Sequence, residues 1–141
     1  MTFAAHKRTL SSLQIGETAA LTHQITEEDV MGFSVISGDH NPLHVDENYA
    51  RSAGFKARVV HGFFLASLVS QLVGMHLPGA YALLVRESLE FKRPAFIDDV
   101  ITVKGTIAAK SDSTKIIELS VEITRSEEVL AAGSVHVRVL Q

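Results

Sequence analysis

Residues 59–77 read VVHGFFLASLVSQLVGMHL, and this stretch decides what the rest of the chain must do. It is apolar enough to suggest a membrane span, which needs about 20 mostly apolar residues. Polar side chains interrupt it at His61, Ser67, Ser70, Gln71 and His76. A buried helix of a soluble protein is therefore the better interpretation, and we predict it over about 61–76, roughly 22 Å long. Because this helix is apolar nearly all round, it needs cover on more than one side.

The chain after residue 77 supplies that cover, because its apolar residues alternate with period two, as in strands with one buried face. Four segments show the pattern: LLVRESLEFK (83–92), VITVKGTI (100–107), IIELSVEIT (116–124) and SVHVRV (134–139). The side chains expected to face the core are Leu83, Val85, Leu89, Phe91, Ile101, Val103, Ile107, Ile117, Leu119, Val121, Ile123, Val135, Val137 and Val139. Polar breaks at 110–114 and 126–128 predict antiparallel hairpins. Residues 17–25, ETAALTHQI, predict a fifth strand.

Two shorter helices are predicted before the apolar helix. Thr26, followed by three acidic residues, is a helix start, and Gly38 ends that helix. Asp46 is a second N-cap, whose short helix closes at Gly54. A strongly curved antiparallel sheet wrapped around one central helix accommodates all these elements, and a second copy of the chain most easily covers the face left open. The sequence therefore predicts an α+β protein of hot-dog architecture that forms a homodimer.

The composition indicates one domain, residues 1–141, because 46% hydrophobic and 21% charged residues are typical of a globular protein and no repeat or linker divides the chain. The absence of cysteine excludes disulfides, zinc-thiolate sites and a thiol nucleophile, and agrees weakly with a cytoplasmic protein. A net charge of -3 with scattered basic residues disfavours nucleic acid, although a small basic patch would still suffice for CoA. The N-terminus lacks the apolar core of a secretion signal.

The segment SGDHNPLH, residues 37–44, is polar and rich in turn-forming residues. Pro42 cannot continue a helix and pushes Asn41 out of the helical region, so we predict a loop over 38–42. This loop breaks the helical geometry that would bring His40 and His44 to one metal ion. No metal site is therefore expected.

The same turn can direct Asp39 and His44 into one space. A carboxylate beside an imidazole is the minimum set for adding water to a double bond or removing it. The N-terminal end of the helix capped by Asp46 would help to keep His44 neutral near pH 7. The alternative is structural: Asp39 caps its own turn and His44 is a surface side chain.

Three segments resemble the MaoC-like dehydratases and (R)-specific enoyl-CoA hydratases, the hydratase-2 family. The first is FSVISGDHNPLH, 33–44, continuing to residue 50; the others are VVHGFFLASLVSQLVGMHLPG, 59–79, and SLEFKRPAFIDD, 88–99. The resemblance implies a hot-dog fold, a homodimer, and the interconversion of trans-2-enoyl-CoA with (R)-3-hydroxyacyl-CoA. The CoA thioester would be the substrate, and no cofactor is expected.

The resemblance also implies roles for individual residues. Asp39 and His44 would hold the water that adds at C3 and pass a proton to C2, in an order that the sequence leaves open. The amide of Gly62, at the start of the apolar helix, would stabilise the enolate oxygen, although a glycine needed only for helix–sheet packing is the alternative. Asn41 either orients the pair or is a turn residue.

Three further side chains of the apolar helix are weaker candidates. Ser70 lies about two turns after Gly62, so the resemblance places it near the substrate, but a buried serine can equally bond its own preceding carbonyl. Phe63 and Leu65 could line an acyl pocket, and core packing explains them just as well. For His61 we expect a structural role.

Other functions remain open at this point. The chain could dehydrate carrier-protein-bound or branched 3-hydroxyacyl thioesters, it could hydrolyse thioesters, or it could be a non-catalytic acyl-binding subunit. The intact Asp39/His44 pair argues against the last. Acyl length and pathway, whether fatty acid metabolism or polyhydroxyalkanoate supply, do not follow from the sequence.

Overall fold

The computed structural model describes residues 3–141, in which five strands form one antiparallel sheet. The strands are β1 (Thr18–Gln24), β2 (Ala82–Phe91), β3 (Val100–Ser111), β4 (Ile116–Arg125) and β5 (Glu128–Val139). Their order across the sheet is β1-β3-β4-β5-β2. The predicted α+β class is thus confirmed, as are the fifth strand near the start of the chain and the two hairpins that join β3 to β4 and β4 to β5.

The alternating pattern correctly predicts the buried face of the three middle strands. Their predicted core residues are all buried: Ile101, Val103, Ile107, Ile117, Leu119, Val121, Ile123, Val135, Val137 and Val139. Each burial of a side chain this size contributes about 1.5–3 kcal/mol of transfer free energy. The sheet therefore supplies a continuous apolar surface for the helix.

The predicted buried face of β2 is wrong for three of its four residues. Leu83, Val85 and Phe91 are about half exposed, and only Leu89 packs against the core. A register shift between Leu84 and Arg86 interrupts the pairing of β2 with β5. The shift does not simply reverse the faces, because Leu84 is exposed as well and Phe91 lies beyond the shift on the same face as Leu89. Much of this edge strand lacks cover in a single chain, which a pattern of period two cannot predict.

The apolar helix forms as predicted and packs on the sheet. Helix α4 spans Gly62–Gln71 and continues in π-helical winding over Leu72–His76. Its buried side chains are Phe64, Leu65, Leu68, Val69, Leu72 and Val73. At Gly105 in β3 a Cβ atom would lie 2.9 Å from Cδ2 of Leu72, so this glycine allows the close approach of helix and sheet. Within residues 3–141, no helix is long and apolar enough to cross a membrane.

Helix α1 (Glu27–Ser37) has the predicted boundaries. Thr26 and Asp29 form a capping box, in which each side chain accepts a hydrogen bond from the other residue's backbone N–H. Gly38 ends the helix with a left-handed φ of 76°. The chain therefore leaves α1 directly into the polar segment.

The predicted loop over 38–42 is one residue too long. Pro42 begins a one-turn helix, α2 (Pro42–Val45), because a proline is tolerated in the first turn, where its missing N–H has no partner to lose. His44 consequently lies inside α2, not merely before the next helix, as the sequence suggested. Asp46 does cap that next helix, α3 (Glu47–Ser52), and accepts from the N–H of Tyr49.

Candidate active site

Asp39 and His44 come together, although they lie in different elements. Asp39 follows α1 in the connecting turn, and His44 lies in α2. Oδ2 of Asp39 is 3.8 Å from Nε2 of His44. The Asp39 side chain is 49% exposed and that of His44 only 13%, so the pair joins a solvated carboxylate to a mostly buried ring.

Four hydrogen bonds fix Asp39. Its backbone N–H donates to the hydroxyl of Ser37 at 3.1 Å, and its carboxylate accepts from the N–H of Asn41 at 3.1 Å. Its carbonyl oxygen accepts from the hydroxyl of Ser34 at 2.7 Å and from Nε2 of His61 at 3.1 Å. The turn is therefore tied to α1 on one side and to the start of α4 on the other.

The hydrogen bond at Nδ1 determines the tautomer of His44. Nδ1 lies 2.6 Å from the carbonyl oxygen of Val59, and a carbonyl can only accept, so Nδ1 carries the hydrogen. In the neutral ring Nε2 is then an acceptor, and it faces Asp39. Two acceptors cannot bond each other, but both can accept hydrogens from one water molecule placed between them.

His61 is a part of the site that the sequence argument missed. Its ring stacks on that of His44, with centroids 3.8 Å apart and planes 27° apart, and Phe33 meets its edge at 5.0 Å. It is 2% exposed, and Nδ1 has no hydrogen-bond partner. Burial lowers the pKa of His61, and positive charge on His44 lowers it further, against the opposing effect of Asp39.

A sequence signal for His61 exists only in retrospect. His61 and Ser34 are the two buried polar residues in the described part of the chain, and both donate to the carbonyl of Asp39. A histidine that begins an apolar helix is conspicuous in the sequence. Its contacts with Asp39, 22 positions away, are not.

A pocket of about 260 Å³ opens beside His44, while Asp39 does not line it. Its lining residues are His44, Val59, Val60, Gly62, Leu65, Phe91, Lys92, Arg93, Pro94 and Ala95. Gly62 is the first residue of α4, where backbone N–H groups have no acceptor within the helix. A Cβ atom on Gly62 would lie 3.2 Å from the ring of Phe91, so a larger residue would have to displace that ring slightly, and the glycine also favours close packing. Both predicted roles of Gly62 thus remain compatible with its position.

Of the other candidate side chains, some lie at the site and others do not. The side chain of Asn41 caps α2 by accepting from the N–H of Leu43 at 2.9 Å, while its own N–H holds Asp39. Leu65 lines the pocket beside His44. Phe63 is 80% exposed and lines a different pocket, and Ser70, which we expected to be buried, is exposed. Contact of Ser70 and Phe63 with substrate therefore stays a prediction.

Asp39, His44 and His61 are close enough to be considered as ligands of one metal ion, because their ligand atoms lie within 4.8 Å of one another. An imidazole nitrogen binds a metal in the plane of its ring. The rings of His44 and His61 are stacked with planes only 27° apart, so the in-plane lone pairs of the two rings do not converge on one ion at bonding distance. The geometry thus suits a water molecule better than a metal ion, and the expectation of no metal stays a prediction.

Comparison with known proteins identifies the family. The family model described as "MaoC like domain" matches residues 12–129. A 3-hydroxybutyryl-CoA dehydratase from Methylorubrum extorquens is 34% identical over 90% of this chain and 81% of its own length. An (R)-specific enoyl-CoA hydratase from Rhodospirillum rubrum is 36% identical over 88% of this chain and 86% of its own length.

A solved structure agrees with these relatives. The (R)-hydratase from Aeromonas caviae, described as involved in PHA biosynthesis, superposes with a TM-score of 0.87 at 34% identity. The match covers 91% of this chain and 98% of that one. A sheet wrapped around a central helix, the site turn between α1 and α2, and these similarities lead to one conclusion. The chain belongs to the MaoC-like domain family and is a hydro-lyase with the hot-dog fold.

Proposed function

We propose that this protein is an (R)-specific enoyl-CoA hydratase, which adds water reversibly to trans-2-enoyl-CoA to give (R)-3-hydroxyacyl-CoA. The observation that carries the proposal is the Asp39 carboxylate facing Nε2 of His44 at 3.8 Å, beside a pocket that also reaches the start of α4. Both groups are acceptors, and neither is bonded to the other. Such an arrangement suits a water molecule that must lose a proton.

The pair would activate that water as follows. The water donates one hydrogen to Asp39 and one to Nε2 of His44, which leaves an oxygen lone pair free for C3. As the O–C3 bond forms, Nε2 takes the proton, because a neutral imidazole is a stronger base than a carboxylate. The π electrons move to the thioester oxygen. The pair then delivers the proton to C2, so that H and OH have added and both groups return to their starting state.

Gly62 would stabilise the intermediate. Negative charge on the thioester oxygen needs donors directed at it, and the first N–H groups of α4 are unpaired within the helix and lie at its positive end. The absence of a side chain lets the thioester approach. Gly62 and His44 line the same pocket, as this role requires.

The substrate class is supported by two basic residues. Lys92 and Arg93 are exposed and line the opening of the pocket. Cations at that position favour a thioester with phosphate groups, which CoA and carrier proteins both have. The alternative is therefore a dehydratase of carrier-protein-bound or branched 3-hydroxyacyl thioesters. A comparison of kcat/KM for crotonyl-CoA and for the crotonyl carrier protein separates the two.

We also propose that the protein works as a homodimer. Strand β2 lies at an edge of the sheet, so one side of its backbone has no partner strand. Large apolar side chains are exposed on β2 and at the start of α4: Phe63, Leu83, Leu84, Val85 and Phe91. Exposed apolar side chains along an edge strand and at the start of the neighbouring helix favour a second copy of the chain. Light scattering after gel filtration tests this proposal, and a monomer at micromolar concentration contradicts it.

The experiment that tests the function follows the absorbance of the enoyl thioester of crotonyl-CoA and determines the chirality of the product. Wild type, Asp39→Asn and His44→Gln are compared, each checked for folding by circular dichroism. We expect the wild type to form the (R)-alcohol and both variants to be folded and almost inactive. Wild type that is inert on short and long enoyl-CoAs contradicts the proposal. Release of free thiol would indicate a thioesterase instead.

A further inference from the structure

His61 contacts both members of the proposed acid–base pair, yet it lies outside the route of the proton. Its Nε2–H donates to the carbonyl of Asp39 at 3.1 Å, and its ring face covers that of His44 at 3.8 Å between centroids. His61 is the one side chain described here that contacts both residues, while Val59 holds His44 and Ser34 holds Asp39 separately. The separation of the pair therefore depends in part on where His61 lies.

We propose that His61 is a positioning residue that holds Asp39 and His44 at their working separation and stays neutral throughout the reaction. This inference rests on the proposed hydration, because it assigns His61 to the same water-activating pair. It gives a function to a buried polar side chain that helix packing alone would not select.

The residue type fits this double contact. A glutamine could donate to the carbonyl of Asp39 but has no flat face for His44. A phenylalanine has the face but no donor. Histidine supplies a donor at one end of a flat ring, and the edge contact with Phe33 at 5.0 Å holds that ring from the side of α1.

The surroundings of His61 favour its neutral form. Because Nε2 carries the hydrogen that Asp39 accepts, Nδ1 holds a lone pair, and this atom is buried without a partner. Protonation would place an unsatisfied N–H in the interior. The titratable groups that face His61 are the Asp39 carboxylate, which favours the cation, and His44, which opposes it. From α1, Phe33 meets the ring of His61. The Ser34 hydroxyl group donates to the same Asp39 carbonyl and lies 2.8 Å from Nδ1 of His40, a further titratable group near the turn.

Neutrality matters when His44 takes the proton of water. The imidazolium then lies against a neutral aromatic face, which attracts a cation. A charged His61 at the same place would repel it. His61 thus stabilises the protonated state of its neighbour in the step that creates it.

Two variants separate the two contacts. His61→Gln keeps the donor and loses the ring, and His61→Phe keeps the ring and loses the donor. For His61→Gln we expect kcat to fall by about tenfold with little change in KM. In the pH profile of kcat, the apparent pKa of the acid limb should fall by about half a unit. For His61→Phe we expect a similar loss of kcat with the acid limb unchanged.

Val69→Ala is the matched control for lost packing, because Val69 is fully buried in the same helix. It should lower the unfolding temperature and leave the pH profile in place. In a His44→Gln background, His61→Gln should reduce the residual rate by less than about twofold, since its partner is already gone. Additive losses in the double variant would overturn the proposal. So would folded His61 variants with the kcat and pH profile of the wild type.

The separation of the pair can also be measured without substrate, in crystal structures of wild type and His61→Gln. If the wild type has no hydratase activity, the proposed reaction fails, but a change in the 3.8 Å distance between Oδ2 of Asp39 and Nε2 of His44 in the variant still tests the positioning role. An unchanged distance in a folded variant contradicts it.

Discussion

The sheet and the turn that carries the candidate site are specified in different ways. In β3, β4 and β5 many apolar side chains share one task, and each contributes a small part of a common core. In the turn after α1, single hydrogen bonds hold single groups, such as the 2.6 Å contact between His44 and Val59. The sheet should therefore determine whether the protein folds, and the turn whether it works.

Among the variants that test this difference between turn and sheet, His44→Gln should have the largest effect. We expect kcat/KM for crotonyl-CoA to fall by about 10³-fold, because the proton acceptor is removed, while the unfolding temperature shifts by only a few degrees. The side chain of glutamine can still donate to the carbonyl of Val59. Steady-state kinetics and thermal unfolding on the same sample measure both quantities. A variant that unfolds in proportion to its loss of activity would remove the distinction between turn and sheet.

Leu119→Ala makes the opposite change, in the middle of β4. Leu119 is fully buried, and its truncation should lower the free energy of unfolding by about 3 kcal/mol. The kcat of the protein that remains folded should stay within about twofold of wild type. Urea unfolding and assays below the transition measure this, with Lys104→Ala on the exposed face of β3 as the surface control. A selective loss of kcat would mean that the sheet also determines site geometry.

The same contrast explains how much the sequence could predict. Periodicity averages over many residues, so it gave the faces of β3 to β5 and the extent of the central helix correctly. It failed on β2, an edge strand with a register shift next to Val85, because much of that strand lacks cover in a single chain. The π-helical winding of 72–76 and the one-turn helix begun by Pro42 depend on local backbone geometry that residue type does not fix.

For the site, local spacing was enough to predict that Asp39 and His44 meet, because only four residues separate them and their turn residues are recognisable. His61 was assigned only a structural role, since its contacts depend on the tertiary fold. Ser70 was expected to be buried and is exposed, because the helix does not have cover on all sides in a single chain. Hydrophobic periodicity and local spacing therefore cannot predict contacts between side chains of different elements.

A third test concerns the opening of the pocket, which belongs neither to the sheet core nor to the turn. Lys92→Ala and Arg93→Ala should each raise KM for crotonyl-CoA by up to about fivefold, with kcat unchanged, because exposed cations contribute little to binding. Crotonyl-pantetheine, which has no phosphate, should show no change. Lys104→Ala is the matched control, because Lys104 does not line the pocket. Equal effects on both substrates would mean that the two side chains act on pocket shape and not on phosphate.

Glu87→Gln, in β2, should have the smallest effect. Glu87 shares a feature with each region, because it is a single ionisable group, as in the turn, and it lies within a packed apolar surface, as in the sheet. Its Oε1 is buried without a partner, and burial raises the pKa of its carboxyl group. The folded state therefore binds the proton more tightly than the unfolded state does, so the stability present below the unfolded pKa is lost as pH rises through the folded pKa. Glu87→Gln should consequently raise the unfolding temperature at pH 8 and have little effect at pH 4.5.

The control for Glu87 is Glu90→Gln, because Glu90 lies on the same strand and is exposed. Both changes remove one negative charge, so the general effect of net charge cancels between them. Only the burial of Glu87 should produce a gain in unfolding temperature that grows with pH. A gain of equal size at both pH values, or equal gains in the two variants, would mean that the carboxyl group of Glu87 is hydrated in solution and is not held in an apolar environment. In that case β2 would not belong with the packed sheet in this comparison, and the packed region would comprise β3, β4 and β5 only.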